Sequence, residues 1–436
     1  MSLSKKSFSL IKFFLVPIII TGFAYGWHEY RLFTAVPTER LAAGSYYPEM
    51  PPDEHHHYLQ LPIDHRDPAK GTFMDFYILS PNFKPGDKVV FWLFDNQQER
   101  VGLLRDAKDF AEFENILGGL SYVLIGNRGV SPTLFPEVFR QDGSINYPLA
   151  MNLYGSAQQI EDIEAVRQDM QNKHLLPQDG NIMLYGGSGG GFLVQQYLDK
   201  YGSHVSRALI ENSGAPDLAQ QHKVPFAKSF YEANPDAANM YYALSSAEVR
   251  LSLAYLLFKL GQEGEVDLQL KIVKGQSRST SLQEKYSYFS KWIKPANNFP
   301  LIRFMLGIPA ELEVKVRIYE LLGADLKNYQ PTSPEQVILM YEWTKVILAD
   351  FLKAEAVGEI RTPAFPLHRS NYSGEVLVWS GLKDQAFSEQ MAQWINASYP
   401  RSKRATFDDG HRLMKSPEYY RELRKAFFAT GLSVAH

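Results

Sequence analysis

Ile182-Met183-Leu184-Tyr185-Gly186-Gly187-Ser188-Gly189-Gly190-Gly191-Phe192 is the stretch that decides how this chain folds. The apolar residues up to Tyr185 read as a buried strand. From Phe192 to Tyr201, the residues Leu193, Gln196, Tyr197 and Lys200 recur at helical spacing. Between the two lies one serine in the pattern Gly-x-Ser-x-Gly. A strand that turns straight into a helix passes through strained dihedrals, and neighbouring Cβ atoms would collide, so glycine is needed on both sides. The turn lifts the Ser188 hydroxyl to the carboxyl edge of a sheet, above a helix N-terminus with unused N–H groups. That is a nucleophile's position, and the N–H of Gly189 is placed to receive a developing oxyanion.

A serine hydroxyl is a weak nucleophile without a base to take its proton and an acid to orient that base. In α/β-hydrolases the acid and then the histidine follow the serine, each on a loop after a strand. Downstream, Glu375-Val376-Leu377-Val378-Trp379-Ser380 is a strand by composition and runs into Gly381-Leu382-Lys383-Asp384. An amphipathic helix over 388–399 and a short strand over 404–407 follow. They lead to Asp408-Asp409-Gly410-His411 and a final helix over 417–430. Ser188, Asp384 and His411 therefore stand in the required order and context. Asp408 and Asp409 adjoin the histidine too closely to reach its far nitrogen and read as turn formers. The other histidines lack such context. His55-His56-His57 is a polar cluster with no further ligands spaced around it, so no metal is expected.

Four segments, the elbow among them, resemble the prolyl aminopeptidase branch of the α/β-hydrolases and the related tripeptidyl aminopeptidases. Leu61-Pro62-Ile63-Asp64-His65-Arg66-Asp67-Pro68 with Gly71-Thr72-Phe73 is similar to that group's entry into its first hairpin. Asn127-Arg128-Gly129-Val130-Ser131 resembles its Arg-Gly loop, Ile160–Arg167 the helix before the nucleophile strand, and Tyr185–Gly190 the elbow. The resemblance spans about 59–430 apart from a middle insertion. It implies a mostly parallel central sheet flanked by helices, with a large helical lid inserted before the acid-bearing strand. It implies a cofactor-free peptidase acting through an acyl-enzyme. It also implies acidic residues that receive a substrate's free amine, and Glu211, after the sixth strand, and Glu232, at the lid entrance, are the candidates.

One departure matters. These peptidases carry a His-Gly-Gly-Pro-Gly run after the strand before the first helix, whereas here Val89–Phe94 runs into Asp95-Asn96-Gln97-Gln98-Glu99. The second oxyanion donor then falls to the backbone of Asn96 or Gln97, since Asn tolerates positive φ better than most residues. A carboxylate aimed into the hole would oppose the charge formed there. Asp95 either caps the loop or meets a substrate amine.

The organisation follows. Residues 1–29 combine Lys5, Lys6 and Lys12 with an apolar run from Phe13 to Trp27, and read as a signal peptide or a retained N-terminal membrane anchor. The chain is thus expected to be exported, periplasmic, extracellular or membrane-held. Residues 30–216 form the first part of the core, 217–365 an aromatic-rich helical lid, and 366–436 the second part. Ser246–Leu260 and Glu335–Ala354 are the clearest helical runs of the lid.

With 436 residues, 45% of them hydrophobic, the chain can bury a substantial core, and a net charge of −3 without a basic stripe excludes a nucleic-acid footprint. The absence of cysteine excludes disulfides and thiol catalysis. Three functions remain open: an aminopeptidase acting on peptides, a carboxylesterase or lipase using the same triad on small acyl substrates, and a binding protein on a hydrolase scaffold. Oligomeric state is not legible.

Overall fold

Apolar strand residues alternate between two faces and so build a core on each side of one sheet. In the computed structural model, which describes residues 44–46, 51–94, 107–126, 128, 135–244, 247–274 and 312–434, eight strands form that sheet. They are β1 (His56–Pro62), β2 (Thr72–Leu79), β3 (Val89–Trp92), β4 (Ser121–Ile125), β5 (Ile182–Gly187), β6 (Val205–Glu211), β7 (Glu375–Gly381) and β8 (Ser402–Phe407). Their spatial order is β1-β2-β4-β3-β5-β6-β7-β8. The β1/β2 and β2/β4 pairs are antiparallel and the remaining pairs parallel. With a helical insertion between β6 and β7, this is the α/β-hydrolase fold with a lid.

On one face Val89, Phe91, Ile182, Leu184, Ala208, Ile210, Val376 and Val378 join the larger core. On the other face Val90, Trp92, Met183, Tyr185, Leu209, Leu377 and Trp379 pack under α1 (Ala111–Leu117) and the C-terminal helix. Burial on both faces is what parallel strands require. Between β4 and β5 come α2 (Tyr147–Tyr154) and α3 (Ser156–Asn172), and after β5 comes α4 (Gly189–Tyr201). The insertion carries α5 (Pro216–His222), α6 (Phe230–Ala233), α7 (Pro235–Tyr242), α8 (Ala247–Gln262), α9 (Val266–Val273), α10 (Leu312–Leu326), α11 (Leu339–Ile347) and α12 (Ala349–Ala356). The core resumes with β7, α13 (Glu389–Ser398), β8 and α14 (Pro417–Thr430).

The run expected as one helix over 335–354 is a short 3-10 turn followed by two helices that break at Leu348. No proline or glycine marks the break. Thr344, Val346 and Ile347 are β-branched and stiff in a helix, and the Thr344 hydroxyl donates to Met340 O, a back-bond that bends helices. Among the described residues no helix is long and apolar enough to cross a membrane. The proposed signal or anchor segment lies outside them.

Three of the segments that carry the family resemblance converge on one side chain. The Arg128 guanidinium is wholly buried and donates to Asp162 Oδ2 at 2.6 Å and Oδ1 at 2.8 Å on α3. It also donates to the carbonyls of Ile63, Leu153 and Pro62. The entry hairpin, the Arg-Gly loop and the helix before the nucleophile strand are thus tied by one planar fork, a task suited to arginine. His65 Nε2 lies 2.6 Å from Asp162 Oδ1. Nearby Asp75 is fully buried, and burial followed by the Asp162 charge holds its carboxyl well above the ordinary range.

Candidate active site

The elbow begins with a packing constraint. A Cβ on Gly186 would lie 2.5 Å from the Gly190 carbonyl oxygen and 2.8 Å from Val194 Cγ2, so strand and helix meet there with no room for a methyl group. Gly186→Ala is expected to destabilise the protein by about 1–3 kcal/mol, the range of overpacked cores, and urea unfolding would measure it. Between the two, Ser188 sits at φ 53°, ψ −128°, a conformation that costs an L-residue strain and is kept only where the surroundings enforce it. Part of that enforcement is the Ser188 N–H, which donates to Glu211 O at 2.9 Å. Gly189 is the first residue of α4, where a backbone N–H has no acceptor within the helix.

Asp384 and His411 lie on the loops leaving β7 and β8, at the same carboxyl edge as Ser188. His411 Nδ1 is 2.8 Å from Asp384 Oδ2. The other carboxylate oxygen of Asp384 accepts the Ala386 N–H at 2.7 Å, which fixes the rotation of the group. Both side chains are deeply set, Asp384 at 2% and His411 at 10% exposure. No hydrogen bond joins the Ser188 hydroxyl to the imidazole in this structure, and Ser188 remains half-buried. Asp408 instead faces Lys383 and Lys415 on the surface, and Asp409 accepts from the Gly410 and Lys415 N–H groups, as turn residues do.

Asn212, which the sequence reading passed over, sews these loops together. Its Oδ1 accepts the Gly381 N–H at 2.7 Å and its Nδ2 donates to His411 O at 2.7 Å. Its own backbone is left-handed, at φ 43°. The available signal was an asparagine directly after a buried strand, because Asn is among the non-glycine residues that best accept positive φ.

Glu211 faces the C-terminal helix. Its side chain is buried under the elbow, and Oε2 accepts from Arg424 Nη2 at 2.7 Å and Nε at 3.1 Å. The Arg424 guanidinium also lies over the rings of Trp379 and Tyr185. In this structure the Glu211 carboxylate thus has a guanidinium as its partner, where a substrate amine was expected. Glu232 is exposed on the four-residue α6, and no hydrogen bond or ion pair joins it to Ser188, Asp384 or His411. Asp95, Asn96 and Gln97 lie outside the described residues.

From the lid, α10 presses charged residues against α4. Buried Arg317 donates to the Gly189 carbonyl at 3.3 Å and to Glu320 at 3.0 Å. Glu320 accepts the Ser156 N–H as well, and burial raises its carboxyl above its ordinary value against the pull of Arg317. On the opposite side, the Phe387 ring lies 5.9 Å from that of His411 and packs edge-on against Phe226. Among the described residues no group of three or more histidine, aspartate or glutamate side chains is arranged to hold a metal.

No protein-family model matches this chain, and no curated protein matches it. Among solved structures it is similar to an esterase of Exiguobacterium antarcticum at 14% identity and TM-score 0.42, covering 82% of this chain and 96% of that one. Est816, described as an N-acyl homoserine lactone degrading enzyme, shares 14% identity with TM-score 0.41 over 81% and 96% of the two chains. A proline iminopeptidase of Mycobacterium smegmatis shares 13% identity with TM-score 0.40 over 87% and 100%. Likenesses this distant do not carry a substrate, and the fold assignment rests on the strand order and the lid position given above.

Proposed function

We propose that the protein is a serine hydrolase that cleaves small acyl substrates through an acyl-enzyme on Ser188, with carboxylic esters as the first substrate class. One observation carries the reading: a histidine bound at 2.8 Å to a buried, rotationally fixed carboxylate, on the sheet edge that also bears a strained serine. With Asp384 holding the Nδ1 proton, His411 Nε2 takes the Ser188 proton as Oγ attacks the carbonyl carbon. The imidazolium then returns that proton to the leaving oxygen. Water repeats the sequence on the acyl-enzyme and releases the acid. The Gly189 N–H, and a backbone N–H of Asn96 or Gln97, are assigned to the tetrahedral oxyanion.

Esters come first because an ester needs no amine anchor. The anchor expected at Glu211 is bound to Arg424, and the ring of Phe387 beside His411 suits an apolar acyl group. An aminopeptidase is the second reading, favoured by the convergence of the family-like segments on Arg128. A panel of p-nitrophenyl esters and aminoacyl p-nitroanilides decides between them. Turnover of acetate and butyrate esters at least about 100-fold above that of any anilide, a gap of about 2.7 kcal/mol, is the expected result. Anilide turnover that exceeds ester turnover would transfer the proposal to peptides.

A further inference from the structure

The Asp384–His411 pair hangs from the lid as much as from the sheet. His411 C=O is held by the core through Asn212, but its N–H donates at 2.7 Å to the carbonyl of Gln262, the last residue of α8. Gly410 fits against that same carbonyl and leaves no room for a Cβ. Around the acid, lid residue Lys228 donates from its backbone N–H to Ala386 O at 3.1 Å and from Nζ to Asp384 O at 3.3 Å.

Between these ties lies a buried amide pair. Gln269 on α9 donates Nε2 to Gln385 Oε1 at 2.8 Å, and Gln385 donates back to Gln269 Oε1 at 3.3 Å. Gln269 also donates to Leu257 O at 2.7 Å and accepts from Asn234 at 3.1 Å, so its amide is saturated and completely buried. Gly261 on α8 completes the seat. A Cβ there would overlap Gln385 Oε1 and come within 2.9 Å of Gln269 Nε2. Gln385 is the neighbour of Asp384 in the chain, so a shift of its amide turns the acid.

We propose that Gln269 is a positioning residue for the Asp384–His411 pair, acting through Gln385, so that the lid corner at α8 and α9 sets the geometry of the base it covers. A buried amide left without its partner rotates or recruits water, because an unsatisfied polar group in this setting is costly. The loop carrying Asp384 then loses its register against the imidazole. The inference rests on the hydrolase reading above.

The test compares wild type with Gln269→Ala, Gln385→Ala, the double variant and Gly261→Ala. It reads kcat and KM on p-nitrophenyl acetate, the low-field proton resonance of the His411 Nδ1–H, and thermal unfolding. Each single variant should lower kcat about tenfold, KM should stay within about twofold, and the resonance should shift or broaden. The double variant should lose no more than one single, since the two amides act as a unit. Gly261→Ala guards against simple misfolding: alanine favours the helix over glycine, yet its methyl displaces the amide pair.

An active wild type whose folded variants keep both kcat and the resonance would overturn the positioning role alone. A variant series that lowers thermal stability but leaves kcat and the resonance unchanged would overturn it equally, since the pair would then serve only packing. A wild type without turnover or Ser188 reactivity would remove the hydrolase reading itself.

Discussion

Asp384→Asn should lower kcat on a good ester about 10⁴-fold, with KM and thermal stability close to wild type. The size follows from hydrogen-bond bookkeeping at the carboxylate. One oxygen accepts the Ala386 N–H and the other faces His411 Nδ1. An asparagine amide must keep its oxygen on the Ala386 N–H, because two donors cannot face each other, and this turns its NH₂ toward the imidazole. His411 Nδ1 then becomes an acceptor and the ring proton moves to Nε2, the nitrogen that must receive the Ser188 proton. The isosteric side chain leaves packing intact while the base is in the wrong tautomer. Steady-state kinetics with circular dichroism checks this. A variant within about tenfold of wild type would mean that the pair does no proton work.

The largest stability effect is expected at Arg128. Arg128→Met should destabilise the fold by about 3–5 kcal/mol, the cost of stranding a buried charge, measured by guanidinium unfolding. The guanidinium is the bidentate partner of Asp162, and it satisfies three backbone carbonyls from two other segments. Without it, the side-chain contact left to Asp162 among the described residues is the His65 ring, and it stands beside Asp75, whose carboxyl burial and then that charge already push upward. Arg128→Lys should fall between the two, because a point charge cannot serve both carboxylate oxygens and three carbonyls at once. A loss below about 1 kcal/mol in the methionine variant would show that the convergence of segments is incidental to stability.

The contrast between these two sites explains what was legible in the sequence. β5, β6 and β7 announced themselves because each holds a short apolar run ending in glycine or a turn residue, whereas β8 is mostly polar and begins two residues before the expected position 404. The placement of Ser188, Asp384 and His411 at one sheet edge was readable because chain order and position after a strand are local properties. The loop that carries Arg128 stood out by its resemblance to a family motif, whereas the partners of its guanidinium lie on segments remote in the chain. Glu211 misled because a carboxylate after a strand looks the same in sequence whether it faces solvent or a buried arginine 213 residues later. Asn212 and the Gln269–Gln385 pair stayed hidden for a related reason. A single amide carries no periodicity, and its role exists only once β6, β7 and the lid have met. The break at Leu348 was obscured by continuous apolar spacing on both sides of it.

The central claim is that Ser188 is a nucleophile activated by His411. Its most direct test is treatment of the folded protein with a fluorophosphonate, followed by mass spectrometry of the digest. The account predicts a single phosphonyl group on Ser188, absent in Ser188→Ala and formed far more slowly in His411→Gln. An unmodified Ser188 in folded wild-type protein, or a label carried by a different residue, would contradict it.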